Sequence, residues 1–297
     1  MNSLSREKRV VHNLYKDYLS TEDLIPFIQS NKYRCNFSDT VYPAFKKDMC
    51  KFFQGKDYWP ETHIKNPKSD GVWYVKPNKG SHGEGITITD NVSSIDDSDV
   101  IYQRSVENLL LHEGRKQDIR VYVALQTYGG HFRSYIYYEG YCKVASFVYD
   151  KNNLDTKIQL TNFTHTNNTM QKFTDNEYYY EMYSNIKNIV LDFSNDIYNK
   201  INNNTQRNLI HIFGFDFIPD TNKKTWLLEV NDNPQVVWFE PTIKTRLPVG
   251  LHNFGKDLME ELFKELIYPM KNNTDVKPNN FELVHEKELL FNKWIFV

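Results

Sequence analysis

Asp216, Glu229 and Asn231 are the residues whose types and spacing could do chemistry together. They lie in His211 to Pro234, HIFGFDFIPDTNKKTWLLEVNDNP, which reads as an apolar strand, a polar turn and a second apolar strand. Asp216 sits inside FGFDFI, and Glu229 and Asn231 close the run WLLEVN. Successive strand side chains point to opposite faces, so Glu229 and Asn231 share one. A hairpin through the turn Asp220 to Lys224 would set Asp216 opposite them. Three oxygen donors on neighbouring strands suit Mg²⁺, a hard cation that takes few protein ligands and keeps places for water and phosphate oxygens. A buried carboxylate pair with no cation would be costly. The plainer alternative is a pair of edge-strand acids that face water.

A second constellation lies upstream. VKPNKGSHGEGI, Val75 to Ile86, joins two predicted strands. It is neither a Walker loop nor a dinucleotide fingerprint, both of which open a helix. A glycine loop between strands is a flap whose amides can cover phosphates, because glycine permits close approach and unusual dihedrals. Lys76, at the strand end, would bring a cation to them; the alternative is an ordinary turn. Gln103, Arg104, Ser105 and Val106 link two predicted lobes, and such a linker can hydrogen-bond an adenine edge through its backbone. In KQDIR, Lys116, Asp118 and Arg120 alternate on one strand face, while Val121, Val123 and Leu125 take the other. That face reads either as a polar cleft or as a solvated sheet surface.

These residues need strands to hold them. The expected strands are Val72 to Lys76, Ile86 to Thr89, Val100 to Gln103, Asp118 to Thr127, Arg133 to Tyr138 and Cys142 to Phe147. Helical spacing appears from Tyr42 to Phe53, from Tyr180 to Ile201 (Ile186, Val190, Phe193, Ile197, Ile201) and from Gly255 to Met270. Residues 1 to 35 look like short helices, 150 to 178 mostly like loop, and the tail from Lys271 like polar chain until Leu289. The order predicts an α+β protein with more than one sheet.

Bulk properties narrow the partners. The 297 residues suffice for about two domains. A net charge of −2 gives no global electrostatic support to nucleic-acid binding. Cys35, Cys50 and Cys142 are odd in number and lack metal spacing, which argues against a disulfide framework and for a reducing compartment. The start of the chain is polar, with no apolar core of signal-peptide length, and no run of about 18 apolar residues occurs. The expectation is a cytoplasmic protein without a membrane span.

The blocks WYVKPNKGSHGEGI, IYQRSVENLLLHEGRKQDIRVYV, QLTN and FGFDFIPD…WLLEVNDNP, in this order from about Tyr42 to Pro234, resemble the tubulin–tyrosine ligase family of the ATP-grasp superfamily. The resemblance implies an ATP-grasp fold, two α+β lobes enclosing ATP, with a reduced N-terminal segment. The implied division is 1–40, a short N-terminal segment; 41–104, a central lobe; and 105–297, a C-terminal lobe with the metal-binding hairpin. The implied reaction is ATP- and Mg²⁺-dependent joining of a free amino acid to a protein carboxylate through an acyl phosphate, as in tyrosination, glutamylation or glycylation of tubulin tails. Lys76 and Lys116 would meet ATP phosphates, with His82, Gly83 and Gly85 in the covering loop. Gln103, Arg104, Ser105 and Val106 would hold adenine, and Asp118 would border the nucleotide. Asp216, Glu229 and Asn231 would bind Mg²⁺. Arg120, Lys143 and Asp118 would face the reacting carboxylate or the amino acid, and Thr161 and Asn162 would line the same cleft. The partner would be tubulin or another acidic-tailed protein.

The chain departs from the family pattern in places. Lys143 stands where an arginine is expected, which keeps the charge but loses the bidentate fork. His82 precedes the second glycine of the loop in place of a basic residue, so its phosphate contact would depend on pH. FTHTNNT replaces the usual continuation after Asn162. Two alternatives stay open at this point: a non-catalytic ATP-binding module that binds tubulin or another protein, and an ATP-grasp ligase for a small-molecule or peptide carboxylate.

Overall fold

The structure is a computed structural model that describes residues 45–80, 83–95, 98–162, 169–201, 208–232, 234 and 247–289, with the backbone of Tyr33–Arg34. In chain order the elements are β1 (Tyr33–Arg34), α1 (Lys46–Phe52), β2 (Thr62–His63), β3 (Trp73–Pro77), β4 (Thr87–Thr89), β5 (Val100–Arg104), β6 (Arg115–Tyr128), β7 (His131–Tyr137) and β8 (Tyr141–Val148). Then come α2 (Thr156–Gln159), β9 (Thr169–Lys172), α3 (Tyr179–Lys200), β10 (Asn208–Pro219), β11 (Thr225–Asn231), α4 (Phe254–Glu261), α5 (Tyr268–Asn272) and β12 (Phe281–Glu288). The fold is α+β, with two sheets.

The four-stranded sheet runs β2-β5-β3-β4. The eight-stranded sheet runs β1-β10-β6-β7-β12, with β11 on β10 and β8 between β6 and β9. It forks because β6 is long: its first half pairs with β8 and its second half with β7. Its pairings are antiparallel except β1 with β10.

Alternation along β6 sorts its side chains. Ile119, Val121, Val123 and Leu125 join Met182, Ile186, Val190, Phe193 and Ile197 of α3 in one core. Those helix residues repeat at three and four positions, which makes one stripe of the helix apolar. On the opposite sheet face, Tyr122 and Ala124 pack with Phe254, Leu258 and Leu262. Lys116, Asp118 and Arg120 continue that second face, and there it opens into a cleft.

Several segments differ from expectation. The region read as mostly loop holds α2 and β9, and the polar tail holds β12, an edge strand that buries Phe281 and His285 and exposes most of its charged side chains. The helix expected from Gly255 to Met270 contains a π-helical stretch at Leu262–Ile267. Cys50 and Cys142 are buried free thiols. No helix among the described residues is long and apolar enough to cross a membrane. The predicted short helices before residue 33, Cys35 and His82 lie outside the described residues.

Candidate active site

The β10–β11 hairpin forms as the alternation requires. Asp220 accepts the backbone N–H groups of Asn222 and Lys224 and the indole N–H of Trp226, and Lys223 takes a positive φ of 65°. Asp216 pairs with Glu229 across the strands, and Asn231 pairs with Gly214. A register shift just past Asp216 leaves Leu228 as the extra residue, a bulge that re-aims the strand end.

Register then places one row of side chains across four strands: Tyr141 on β8, Arg120 on β6, Asp216 on β10 and Glu229 on β11. Lys143 pairs with Asp118 in the next row. Arg120 grips Asp216 with both ends of its guanidinium, Nε to Oδ1 at 2.9 Å and Nη2 to Oδ2 at 2.6 Å. Lys143 Nζ donates to Oδ1 at 2.9 Å, and Asn231 Nδ2 to Oδ2 at 3.1 Å. Gly214 leaves the space this needs: a Cβ there would come within 2.9 Å of Arg120 Nη1 and 2.8 Å of Pro234. Burial alone would raise the Asp216 carboxyl, but the Arg120 and Lys143 cations outweigh it and hold it well below the usual carboxylate range.

The small sheet supplies the opposite wall. Lys76 is buried and donates to Gln103 Oε1 at 2.5 Å. Burial pushes its ammonium down to about 8 against the pull of Glu229. Lys116 reaches across from the large sheet to Tyr74 Oη at 2.7 Å and to the Gln159 carbonyl at 2.8 Å. Burial would lower Lys116, yet Tyr74 and Asp118 beside it raise it. Thr161 donates to Asp118 Oδ2, while Asp118 Oδ1 is buried and meets no donor. Gly83 and Gly85 take positive φ values of 78° and 70°, and a Cβ on Gly85 would come within 2.9 Å of Pro77.

These groups line one cleft of about 660 Å³ between the sheets, a size ordinary for small-ligand sites. The structure brings Lys76, Gly83, Lys116 and Asp118 into it from the phosphate side of the expected set, and Arg120, Lys143, Thr161, Asn162, Asp216, Glu229 and Asn231 from the other. Gln103, Arg104, Ser105 and Val106 line it too, near Leu109 and Ile218. The backbone N–H groups of Arg104 and Ser105 already bond Glu61 and Val72, so an incoming base would need other groups of this linker. Gly85 shapes the loop but is not among the lining residues.

Sequence reasoning missed four participants. Lys46 Nζ lies 3.1 Å from Glu229 Oε1 and 2.7 Å from the Gly80 carbonyl, tying α1 to both the hairpin and the glycine loop. Tyr74 and Gln159 brace Lys116 and bond each other at 3.0 Å. Tyr141 ends the charged row and packs edge-on against Phe254. Tyr74 and Gln159 stood inside quoted motifs, whereas Lys46 carries no local signal. Burial pushes the Cys142 thiol up to about 12, so it packs as an apolar side chain and is not a nucleophile at neutral pH.

Two carboxylates and a carboxamide on adjacent strands match the donor chemistry of a hard-cation site. Among the described residues no group of three His, Cys, Asp or Glu side chains is placed to hold a metal, and the third donor of this set is Asn231. The cleft thus has buried cations on both walls and oxygen donors on one. The chain belongs to the tubulin-tyrosine ligase family, whose model matches residues 27–276. It is 26% identical over 261 residues to tubulin glycylase 3D of Tetrahymena thermophila, covering 76% of this chain and 24% of that protein. It is 25% identical over 285 residues to a probable alpha-tubulin polyglutamylase of the same organism, covering 77% and 67%. It is 28% identical over 207 residues to a tubulin polyglutamylase of Mus musculus, covering 59% and 25%. The chain thus spans about a quarter of the length of the first of these relatives.

Proposed function

We propose that this chain is an ATP-dependent carboxylate–amine ligase that joins an amino acid to an acidic protein tail, with tubulin as the acceptor to test first. In this reading the two sheets belong to two ATP-grasp lobes, 41–104 and 105–297, after a short segment 1–40. The observation that carries it is the convergence, in one cleft, of Lys76 and Lys116 from opposite sheets with the row Arg120, Asp216 and Glu229.

The roles follow from the side chains. Lys76 and Lys116 would neutralise phosphate oxygens, and the Gly83–Gly85 turn would approach them closely. Asp216, Glu229 and Asn231 would hold Mg²⁺, which when bound neutralises phosphate charge and orients the transferring group. Arg120 and Lys143 would hold the acceptor carboxylate beside the nucleotide, with Asp118, Thr161 and Asn162 lining the place of the amino acid. An acceptor carboxylate oxygen attacks the γ-phosphorus and ADP leaves, which forms an acyl phosphate. The amino acid's amine then attacks the acyl carbon, phosphate leaves with the carboxylate oxygen, and the amine gives up a proton. Phosphoryl transfer of this kind depends on position and charge and does not need a covalent nucleophile. The printed names of the relatives, glycylase and polyglutamylase, support an amino acid as the group transferred and tubulin as the acceptor. The cytoplasm would be the setting.

Intact-mass spectrometry of native and detyrosinated tubulin, after incubation with the protein, ATP, Mg²⁺ and mixed amino acids, tests the proposal. A mass increment should appear and name the amino acid. Glu229→Gln should keep the fold and lower the rate by roughly a hundredfold or more, the scale for a key electrostatic group. Near-normal turnover in that variant would count against the metal role of Glu229.

A further inference from the structure

The charges around Asp216 raise a question of competition. Asp216 is nearly buried, and both its oxygens are occupied: Oδ1 by Arg120 Nε and Lys143 Nζ, Oδ2 by Arg120 Nη2 and Asn231 Nδ2. Arg120 and Lys143 are themselves only 12% and 11% exposed. A guanidinium fork plus an ammonium on one carboxylate is the arrangement by which proteins grip a carboxylate ligand. Here the ligand is the chain's own side chain.

A single ammonium meets the other acid of the row: Lys46 Nζ lies 3.1 Å from Glu229 Oε1 and also bonds the glycine loop at Gly80. Asp216 and Glu229 are therefore each held by a cation of the chain. A divalent cation on these two acids would have to take the place of Lys46, Arg120 and Lys143. Buried charges do not stay unpaired, so the displaced cations must find other anions.

We infer that Asp216 is an internal stand-in for the substrate carboxylate, which keeps Arg120 and Lys143 closed until a divalent cation draws Asp216 away. Carboxylate binding is then coupled to metal binding, and an acidic acceptor engages only a site already loaded with metal and nucleotide. Lys46 is the matching latch at Glu229: its release frees an ammonium beside the glycine loop, where phosphates would lie. The inference rests on the carboxylate-ligase reading and adds to it an order of binding and a reason for that order.

Fluorescence anisotropy of a labelled hexaglutamate peptide, with excess EDTA or with Mg²⁺ and a non-hydrolysable ATP analogue, tests the coupling without turnover. In the unmodified protein the loaded site should bind the peptide about tenfold more tightly than the metal-free one, a coupling of ordinary size. Asp216→Asn removes the stand-in and keeps its shape. It should bind the peptide about tenfold more tightly than the unmodified protein in EDTA and lose the response to Mg²⁺. Asp90→Asn, an exposed position, makes the same change in net charge and should stay within about twofold of the unmodified protein. If Asp216→Asn does not fold, Lys143→Gln serves. It leaves Arg120 on Asp216, and it should shrink the tenfold response to about threefold or less. Equal peptide affinity with and without metal in the unmodified protein overturns the inference, as does an Asp216→Asn variant that binds no better in EDTA. Absence of peptide binding in every state, while calorimetry still detects the Mg²⁺–nucleotide analogue, overturns the acidic-acceptor reading and the inference with it.

Discussion

The two walls of the cleft are built to different standards. The eight-stranded sheet is covered on both faces: α3 and the aromatic cluster of Phe53, Trp59, Phe193 and Phe215 lie on one side, and α4 with Tyr137 and Phe254 on the other. The four-stranded sheet has one dry face, where Trp73, Val75, Val92, Val100 and Tyr102 meet. Its other face carries Lys76 and Gln103 into the cleft, with only a small group of Tyr74, Ile88 and Leu160 beside them. Arg120, Lys143, Asp216 and Glu229 stand on the heavily packed sheet, and Lys76 and Gln103 on the lightly packed one. Local stability follows buried apolar contact, so the small sheet should open at lower free energy than the large.

The sharpest way to break this comparison is to remove one large aromatic from each side. Phe193→Ala deletes a ring that touches Phe52, Phe53, Phe213 and Phe215, and should cost about 3–5 kcal/mol of global stability. Trp73→Ala removes a ring just as fully buried, but its loss should appear as faster hydrogen exchange confined to β3, β4 and β5 and as weaker nucleotide binding. If Trp73→Ala instead unfolds both sheets together, the two walls are one cooperative unit and the contrast fails.

A milder change sharpens the comparison at the loop. Gly85 has a φ of 70°, and a Cβ would press on Pro77 at 2.9 Å. Gly85→Ala should cost about 1–2 kcal/mol in the nucleotide-free protein, from the left-handed backbone alone. Because the strain sits in the covering loop, thermal denaturation should show a small loss, and calorimetric titration with the ATP analogue a larger one. Equal losses with and without nucleotide would make the loop a structural turn.

What was legible in the sequence divides along the same line. The hairpin could be read because FGFDFI and WLLEVN alternate on either side of a turn with an Asx-type acid, and β6 because KQDIRVYV separates charge from oil. The edge strand β12 was lost because FELVHEKE buries only Phe281 and His285, so its charges hide the period. The helical stretch 262–267 widens to a π-helical turn for which no residue in LFKELI is a marker. Within the cleft, the pairings between side chains were not legible. Asp216 and Arg120 were each assigned an external ligand, and only register across β6 and β10 shows that they hold each other. Lys46 lies far along the chain from Glu229, and no local pattern could have joined them.

The smallest expected effect is one of pH, at the junction of the two walls. Lys76 titrates near 8 in the folded protein, below its ordinary value near 10.5, because burial disfavours the ammonium more than Glu229 restores it. The unfolded chain therefore binds more protons between about pH 8 and 10.5, and stability attributable to this group rises with pH across that window. Below pH 8 the penalty for burying the charge is fully present. Lys76→Met should thus be more stable than the unmodified protein at pH 7, and the advantage should shrink as pH approaches 10. Ligand binding should move the opposite way: in the proposed role the ammonium meets phosphate, so affinity for the ATP analogue should fall by a few-fold from pH 7 to 9 as the charge is lost. Lys76→Arg keeps its charge throughout that range and should abolish the fall. Calorimetric titrations at the two pH values check it. A fall of the same size in Lys76→Arg would move the titrating group off the small sheet.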